Sequence, residues 1–313
     1  YIEELLKDRT EIKLFTRPRR FGKTLNMSTL KYFFDVKNAE ENRKLFKDLY
    51  IEKSEYFKEQ GQYPVIFITL KDLKKNTWKE MNFEIKELLR NLYDEFNFIR
   101  DTLSISDLRE FDKIWLKEED ANYDSSLLNL TKYLYNYYKK EVVLLIDEYD
   151  SPLITANRKG YYKEAINFFR NFLSLALKTN SYLKMGVLTG IVQVAKEEIF
   201  SGLNNIRTYN ILGDKFETFF GLTEEEVEEA LKYFEMIYEI EEVKRWYDGY
   251  KFGNSEVYNP WSIINYLADR GLQAYWVNTS DNALIYDNLK NSTVDVFKDL
   301  EALFEGKAIK KEI

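Results

Sequence analysis

Leu14-Phe15-Thr16-Arg17-Pro18-Arg19-Arg20-Phe21-Gly22-Lys23-Thr24-Leu25-Asn26-Met27-Ser28 runs from an apolar segment, through a basic loop, into an amphipathic one. Glu11 to Phe15 reads as a short strand, and Met27, Leu30, Phe33 and Phe34 fall on one face at helical spacing. A loop in that position turns backbone amides toward an anion, and the helix N-terminus adds the positive end of its dipole. The phosphate-loop pattern is a glycine, four residues, then Gly-Lys-Ser/Thr; the lysine reaches the terminal phosphates and the hydroxyl sits on magnesium. Here Gly22-Lys23-Thr24 keeps the second half, and Arg17 stands where the first glycine would be. The expectation is a site for ATP with Mg2+. Its nucleotide-binding residues are Arg19, Arg20, Phe21, Gly22, Lys23, Thr24 and Leu25, with Lys23 also catalytic and Thr24 on the metal.

Further along, Val142 to Ile146 is a continuous apolar run ending in Asp147-Glu148. In a phosphoryl-transfer site the first acid of such a pair, Asp147, holds magnesium and the second, Glu148, orients or deprotonates the attacking water. Between and beyond these motifs, Val65 to Leu70 and Leu183 to Leu188 read as strands. Trp78 to Leu92, a segment around Leu127 to Tyr138, and Tyr161 to Leu177 read as helices. Strands alternating with helices imply a parallel sheet covered on both faces. Arg17 demands a different backbone path from glycine, set by the fixed φ of Pro18. On this reading the Arg17 and Arg19 side chains point away from the phosphates, toward solvent, the C-terminal module or a partner subunit.

Composition narrows the chemistry. Among 313 residues there is no cysteine and no histidine. That removes disulfides, thiol nucleophiles, zinc fingers, iron–sulfur sites and His-based relays, and leaves a metal to oxygen ligands. The net charge of -7 argues against a globally phosphate-binding surface, so the cluster Arg17, Arg19, Arg20 and Lys23 reads as a local anion site. No apolar run approaches the ~18 residues of a membrane span, and no secretory signal follows Tyr1, so no membrane association and a cytoplasmic location are expected. An Asn-Lys-X-Asp guanine-reading motif is absent, which argues against a GTPase. Arg170 reads as a surface ion pair rather than an arginine finger.

Past Gly221 the pattern changes. Thr223-Glu224-Glu225-Glu226 is a capping box ahead of Val227, Leu231 and Phe234. Asp248-Gly249 signals a hairpin turn between Trp246-Tyr247 and Tyr250. Asn259-Pro260 opens a further helix that Gly271 stops. The expected domains are 1–220, a P-loop domain; 221–280, a small helical or winged-helix module; and 281–313, a helical tail.

With these segments in place the chain resembles the AAA-ATPase-like proteins of bacteria and archaea, related to the signal-transducing P-loop ATPases. The resemblance rests on Leu14 to Ser28, on Leu144-Leu145-Ile146-Asp147-Glu148-Tyr149-Asp150, and on Gly186-Val187-Leu188-Thr189-Gly190-Ile191. It continues through Ile199-Phe200-Ser201-Gly202-Leu203-Asn204-Asn205, Trp246 to Phe252 and Tyr258-Asn259-Pro260-Trp261-Ser262. It implies a three-layer α/β/α P-loop core of the ASCE type, followed by a smaller C-terminal module. Arginine at position 17 is usual in that family. Thr189 matches the polar residue that senses the γ-phosphate and joins the catalytic candidates. One departure is Val192-Gln193, where such proteins carry an arginine. Their frequent C-terminal nuclease-like domain would begin about where this chain stops, and nucleic-acid contact would belong to it. The three Glu-X-Lys triplets, at Glu11, Glu84 and Glu242, read as chance. The implied activity is an ATPase switch, with a homo-oligomer as a possible partner state. The alternatives are a nucleotide-binding scaffold with little turnover and a DNA-associated regulatory module.

Overall fold

The computed structural model describes residues 1–193, 199–200, 205–275 and 302. Five strands, β1 (Ile12–Thr16), β2 (Val65–Thr69), β3 (Val142–Asp147), β4 (Leu183–Gly190) and β5 (Ile206–Tyr209), form one sheet in the order β2-β3-β4-β1-β5. Every pairing in it is parallel. Parallel neighbours cannot be joined by a tight turn, so the connections from β1 to β2, β2 to β3 and β3 to β4 carry helices back over a face of the sheet.

The apolar runs are explained by two separate cores. On one face Ile12, Leu14, Ile66, Ile68, Leu144, Ile146 and Leu188 pack with residues of α4 (Trp78–Glu95), α5 (Ile105–Trp115), α6 (Ser126–Tyr138) and α8 (Tyr162–Leu177). On the other, Phe15, Val65, Val143, Leu145, Met185 and Val187 meet Met27, Leu30, Phe33 and Phe34 of α2 (Lys23–Phe34), together with Ile2 and Leu5 of α1 (Ile2–Lys7). Successive strand residues point to opposite faces, so β3 is apolar from Val142 to Ile146 to fill both, and only its last residue, Asp147, is polar. All six of its residues are buried. Each buried Val, Leu or Ile contributes about 1.5–3 kcal/mol. This is the three-layer α/β/α arrangement, and it covers the strands and helices expected from the pattern.

Register places the chemistry. Phe15 pairs with Thr189 and Thr16 with Gly190, while Ile146 pairs with Leu188 across β3 and β4. β4 therefore lies between the strand feeding the loop and the strand ending in the acids. The C-terminal ends of all three meet at one edge, where open α/β sheets place their ligands.

Several elements had no sequence signal strong enough to read. These include β5, α1, α3 (Ala39–Arg43), α5 and α7 (Ser151–Lys159). The hairpin signal at Asp248-Gly249 is corrected. Trp246 and Tyr247 end a helix, α10 (Ile240–Tyr247), and Asp248 is its C-cap. The hairpin is β6 (Tyr250–Phe252) with β7 (Ser255–Val257), turning at Gly253-Asn254. The apolar face of α10, with Val243 and Tyr247 buried, outweighs the local turn preference.

Contacts divide the chain into two units. The first is Tyr1–Glu226 with Gly249–Pro260, so the hairpin belongs with the sheet. The second comprises Val227–Asp248 and the chain from Trp261 onward. Its described residues include most of α9 (Glu224–Tyr233), α10 and most of α11 (Pro260–Asp269). The expected 281–313 tail, apart from Ala302, and positions 201–204 of the Ile199 to Asn205 motif lie outside the described residues. Glu11-Ile12-Lys13 opens β1, Glu84-Ile85-Lys86 lies on α4, and Glu242-Val243-Lys244 lies on α10.

Candidate functional site

The loop leaves β1 at Thr16 and enters α2 at Lys23. Gly22 is the N-cap in the left-handed region, at φ 68 and ψ 15. A Cβ built there meets nothing within 4 Å, so backbone conformation rather than crowding calls for glycine. Arg20 is also left-handed, at φ 70, so two unusual residues flank Phe21. The first turn of α2 has no side-chain cap and no acidic residue. Its leading N–H groups are thus offered outward at the positive end of a 12-residue helix.

Lys23 is buried, and its Nζ donates to the carbonyl of Arg17 (3.0 Å) and that of Pro18 (2.8 Å). Burial lowers its pKa, while Glu148, Asp150 and Asp147 pull it back up. Thr24 Oγ1 donates to Asp147 Oδ2 at 2.7 Å, and Thr189 Oγ1 donates to Asp147 Oδ1. The fully buried Asp147 carboxylate thereby joins the loop, β3 and β4 through two hydroxyls. The sheet has brought together Lys23, Thr24, Asp147, Glu148 and Thr189. Leu25 is exposed on the first turn of α2, Arg20 is exposed, Arg19 is half-buried and Phe21 is fully buried.

Glu148 is half-buried, with φ 53. A left-handed non-glycine residue costs on the order of 1 kcal/mol, so the fold holds it there. The backbone shows how: Glu148 N donates to Thr189 Oγ1 (3.4 Å), Tyr149 N to Thr189 O (3.0 Å), and Ser151 N to Glu148 O (3.1 Å). Burial raises the Glu148 pKa, the neighbouring Asp147 adds to it, and Lys74 and Lys23 oppose it.

One functional-looking group escaped the sequence reading and another was misplaced by it. Asp150 is buried; its Oδ2 accepts the N–H of Ile191 and of Val192, each at 2.8 Å, and its Oδ1 has no partner among the described residues. Burial raises its pKa. It fixes the backbone that follows Thr189, and its place at the end of Asp147-Glu148-Tyr149-Asp150 was the available signal. The other is Arg17, expected at solvent or at an interface. Its side chain is fully buried instead, donating to the carbonyls of Thr16 (3.0 Å), Tyr209 (2.7 Å) and Phe216 (3.0 Å). The guanidinium lies 5.1 Å from the Phe220 ring centre and 5.3 Å from that of Phe252. Backbone carbonyls and ring faces replace the water lost by Nη1 and Nη2, while the buried Nε has no partner among the described residues.

Residues 1–200 match the family described as Predicted AAA-ATPase. The chain belongs to this AAA-ATPase-like family. It is also 24% identical over 275 residues to a protein of Azotobacter chroococcum mcd 1 described as an uncharacterized protein in the vnfD 5′ region. That alignment covers 88% of this chain and 48% of the relative, so the chain spans about half the relative's length. No solved structure matches. Among the described residues of this AAA-ATPase-like chain, no helix is long and apolar enough to cross a membrane.

Proposed function

We propose that this AAA-ATPase-like chain binds ATP with magnesium at Arg19 to Leu25 and hydrolyses it, acting as a nucleotide-dependent switch. The observation that carries the reading is the Asp147 carboxylate receiving hydroxyls from both Thr24 and Thr189. A phosphate-loop hydroxyl, a strand-end acid and a polar residue on the intervening strand converge on one point.

The donors fit magnesium. Thr24 Oγ1 and Asp147 Oδ2 are hard oxygen ligands 2.7 Å apart, and no cluster of three or more metal-ligating side chains occurs among the described residues. A magnesium ion there would draw its remaining ligands from phosphate oxygens and water, as this ion commonly does. When bound it would neutralise charge on the phosphates. The uncapped N–H groups of α2 cradle the phosphates, and Lys23 exchanges its loop carbonyls for phosphate oxygens. Thr189 holds Asp147 and the Glu148 backbone in register, and Glu148 accepts the proton of the attacking water.

Phosphate release measured with ATP and with GTP, each with and without DNA, tests this reading. ATP-dependent, magnesium-dependent release unaffected by DNA supports it. Tight ATP binding without release identifies a scaffold, and release only with DNA identifies a DNA-associated module.

A further inference from the structure

The loop is held from outside by sequence far along the chain. Arg17 ties its first residue to the Tyr209 and Phe216 carbonyls. Phe21, between the two left-handed residues, is fully buried against Tyr250 (4.8 Å between ring centres) and Phe252 (5.0 Å). Asn26 Nδ2, in the first turns of α2, donates to the Phe219 carbonyl at 2.8 Å. Gly221 runs so close that a Cβ there would sit 3.1 Å from Val257 Cβ and 3.4 Å from Phe21 Cδ1, at φ 146. Three points of the loop region thus rest on residues 216–221 and the hairpin.

Those two supports are themselves joined. Leu222 and Tyr258 exchange backbone hydrogen bonds of 3.1 and 2.8 Å. The Glu217 carboxylate accepts from Asn254 N and from Ser255 Oγ, each at 2.8 Å, and Gly253 N donates to the Ile211 carbonyl at 2.8 Å. Arg17 touches both, through Phe216 and Phe220 on one side and Phe252 on the other. Both ends of the hairpin segment continue into the helical unit.

We propose that Arg17 and Phe21 are positioning residues, through which residues 216–222 and the hairpin Tyr250–Val257 hold the phosphate loop ready for a nucleoside triphosphate. The nucleotide site is then completed by sequence beyond the 1–200 family match. This rests on the reading of Arg19 to Leu25 as that site. A loop that is competent only a fraction of the time binds more weakly by that fraction, so loss of the support appears in affinity.

The test uses the full chain with MgATP, comparing wild type with Phe252→Ala, Phe252→Leu, Phe21→Ala and the Phe21→Ala/Phe252→Ala double variant. Lys251→Ala/Glu256→Ala, on the exposed side of the hairpin, is the control. Calorimetry should show Kd raised about tenfold by Phe252→Ala, largely restored by Phe252→Leu, and unchanged in the control. The double variant should raise Kd by less than the product of the two single effects, because the two changes share the Phe21–Phe252 contact. Hydrogen exchange on wild type should show ATP protecting residues 16–25 and 250–258 together. That measurement, with Phe252→Leu, decides the matter if Phe252→Ala does not fold. Equal affinity in wild type and folded Phe252→Ala, or protection confined to 16–25, overturns the positioning role while leaving the site assignment standing. A wild-type chain without ATP affinity overturns the site assignment and the positioning role with it.

Discussion

Lys23 and Arg17 stand at opposite ends of one loop, and both are buried cations, yet their surroundings differ in kind. Around Lys23 the polar groups are exchangeable. Its ammonium rests on two loop carbonyls, the helix behind it has no side-chain cap, and Glu148 is only half-buried. Around Arg17 the two terminal nitrogens are committed: three backbone carbonyls accept from them and two rings cover the guanidinium, while Nε has no partner among the described residues. Burial lowers the pKa of both, that of Arg17 to about 10, which still leaves it charged at neutral pH. On the proposed reading, the difference separates a charge kept for a ligand from one kept for the fold. A ligand group must be able to change partners, whereas a structural one is most stabilising when it cannot.

That comparison is sharpest at Glu148. Glu148→Gln is expected to cut phosphate release by about 10²–10⁴ while ATP affinity stays as in wild type, since only the proton acceptor is lost. Single-turnover release alongside calorimetry checks both halves. Asp147→Asn should lose magnesium-dependent affinity instead, and equal loss of binding in both variants would make the pair structural.

Lys23→Ala comes next, with ATP Kd rising about 100-fold, or ~2.7 kcal/mol, and a small change in unfolding free energy. A large loss of stability with intact affinity would break the distinction, because Lys23 would then be serving the fold.

Arg17→Lys probes the other side. An ammonium cannot reproduce the planar fork that serves separate carbonyls, and a buried acceptor left unpaired costs about 1–3 kcal/mol. Urea unfolding should register a loss in that range, and a variant as stable as wild type would show that the carbonyls do not need the fork.

The smallest effect is a pH dependence. Burial first, and Asp147 second, raise the Glu148 pKa, so the folded state holds that proton more firmly than the unfolded chain does. Wild type should therefore be slightly less stable than Glu148→Gln at neutral pH. The gap should close as pH falls through the raised pKa, above the ordinary carboxylate range. Wild-type turnover should decline over the same window. Unfolding curves for the two proteins across pH 4 to 8 read the gap directly, and a gap that widened on acidification would reverse the assigned direction.

The candidate site was far more legible in the sequence than its support. Gly22-Lys23-Thr24 and Asp147-Glu148 stand out because their chemistry needs particular residue types at the ends of strands, and strands with both faces covered are apolar throughout. The Arg17 support was hidden because its partners include carbonyls, which every residue carries, and rings that read as ordinary packing. β5 was missed because Ile206-Arg207-Thr208-Tyr209 is short and only partly buried. The hairpin was displaced because Asp248-Gly249 looks like a tighter turn than Gly253-Asn254.

The amino-acid sequence by itself determined the alternation of strand and helix, the absence of cysteine and histidine ligands for any metal, and the residue types at the two motifs. These depend on local periodicity and on side-chain inventory, which a linear reading can see. Only the tertiary structure decided that β4 lies between the two motif strands, that Thr189 braces the acids while Asp150 fixes the backbone after it, and that Arg17 faces inward. Strand order, and the choice of which carbonyl or ring replaces water around a buried charge, are set by packing between segments distant in the chain.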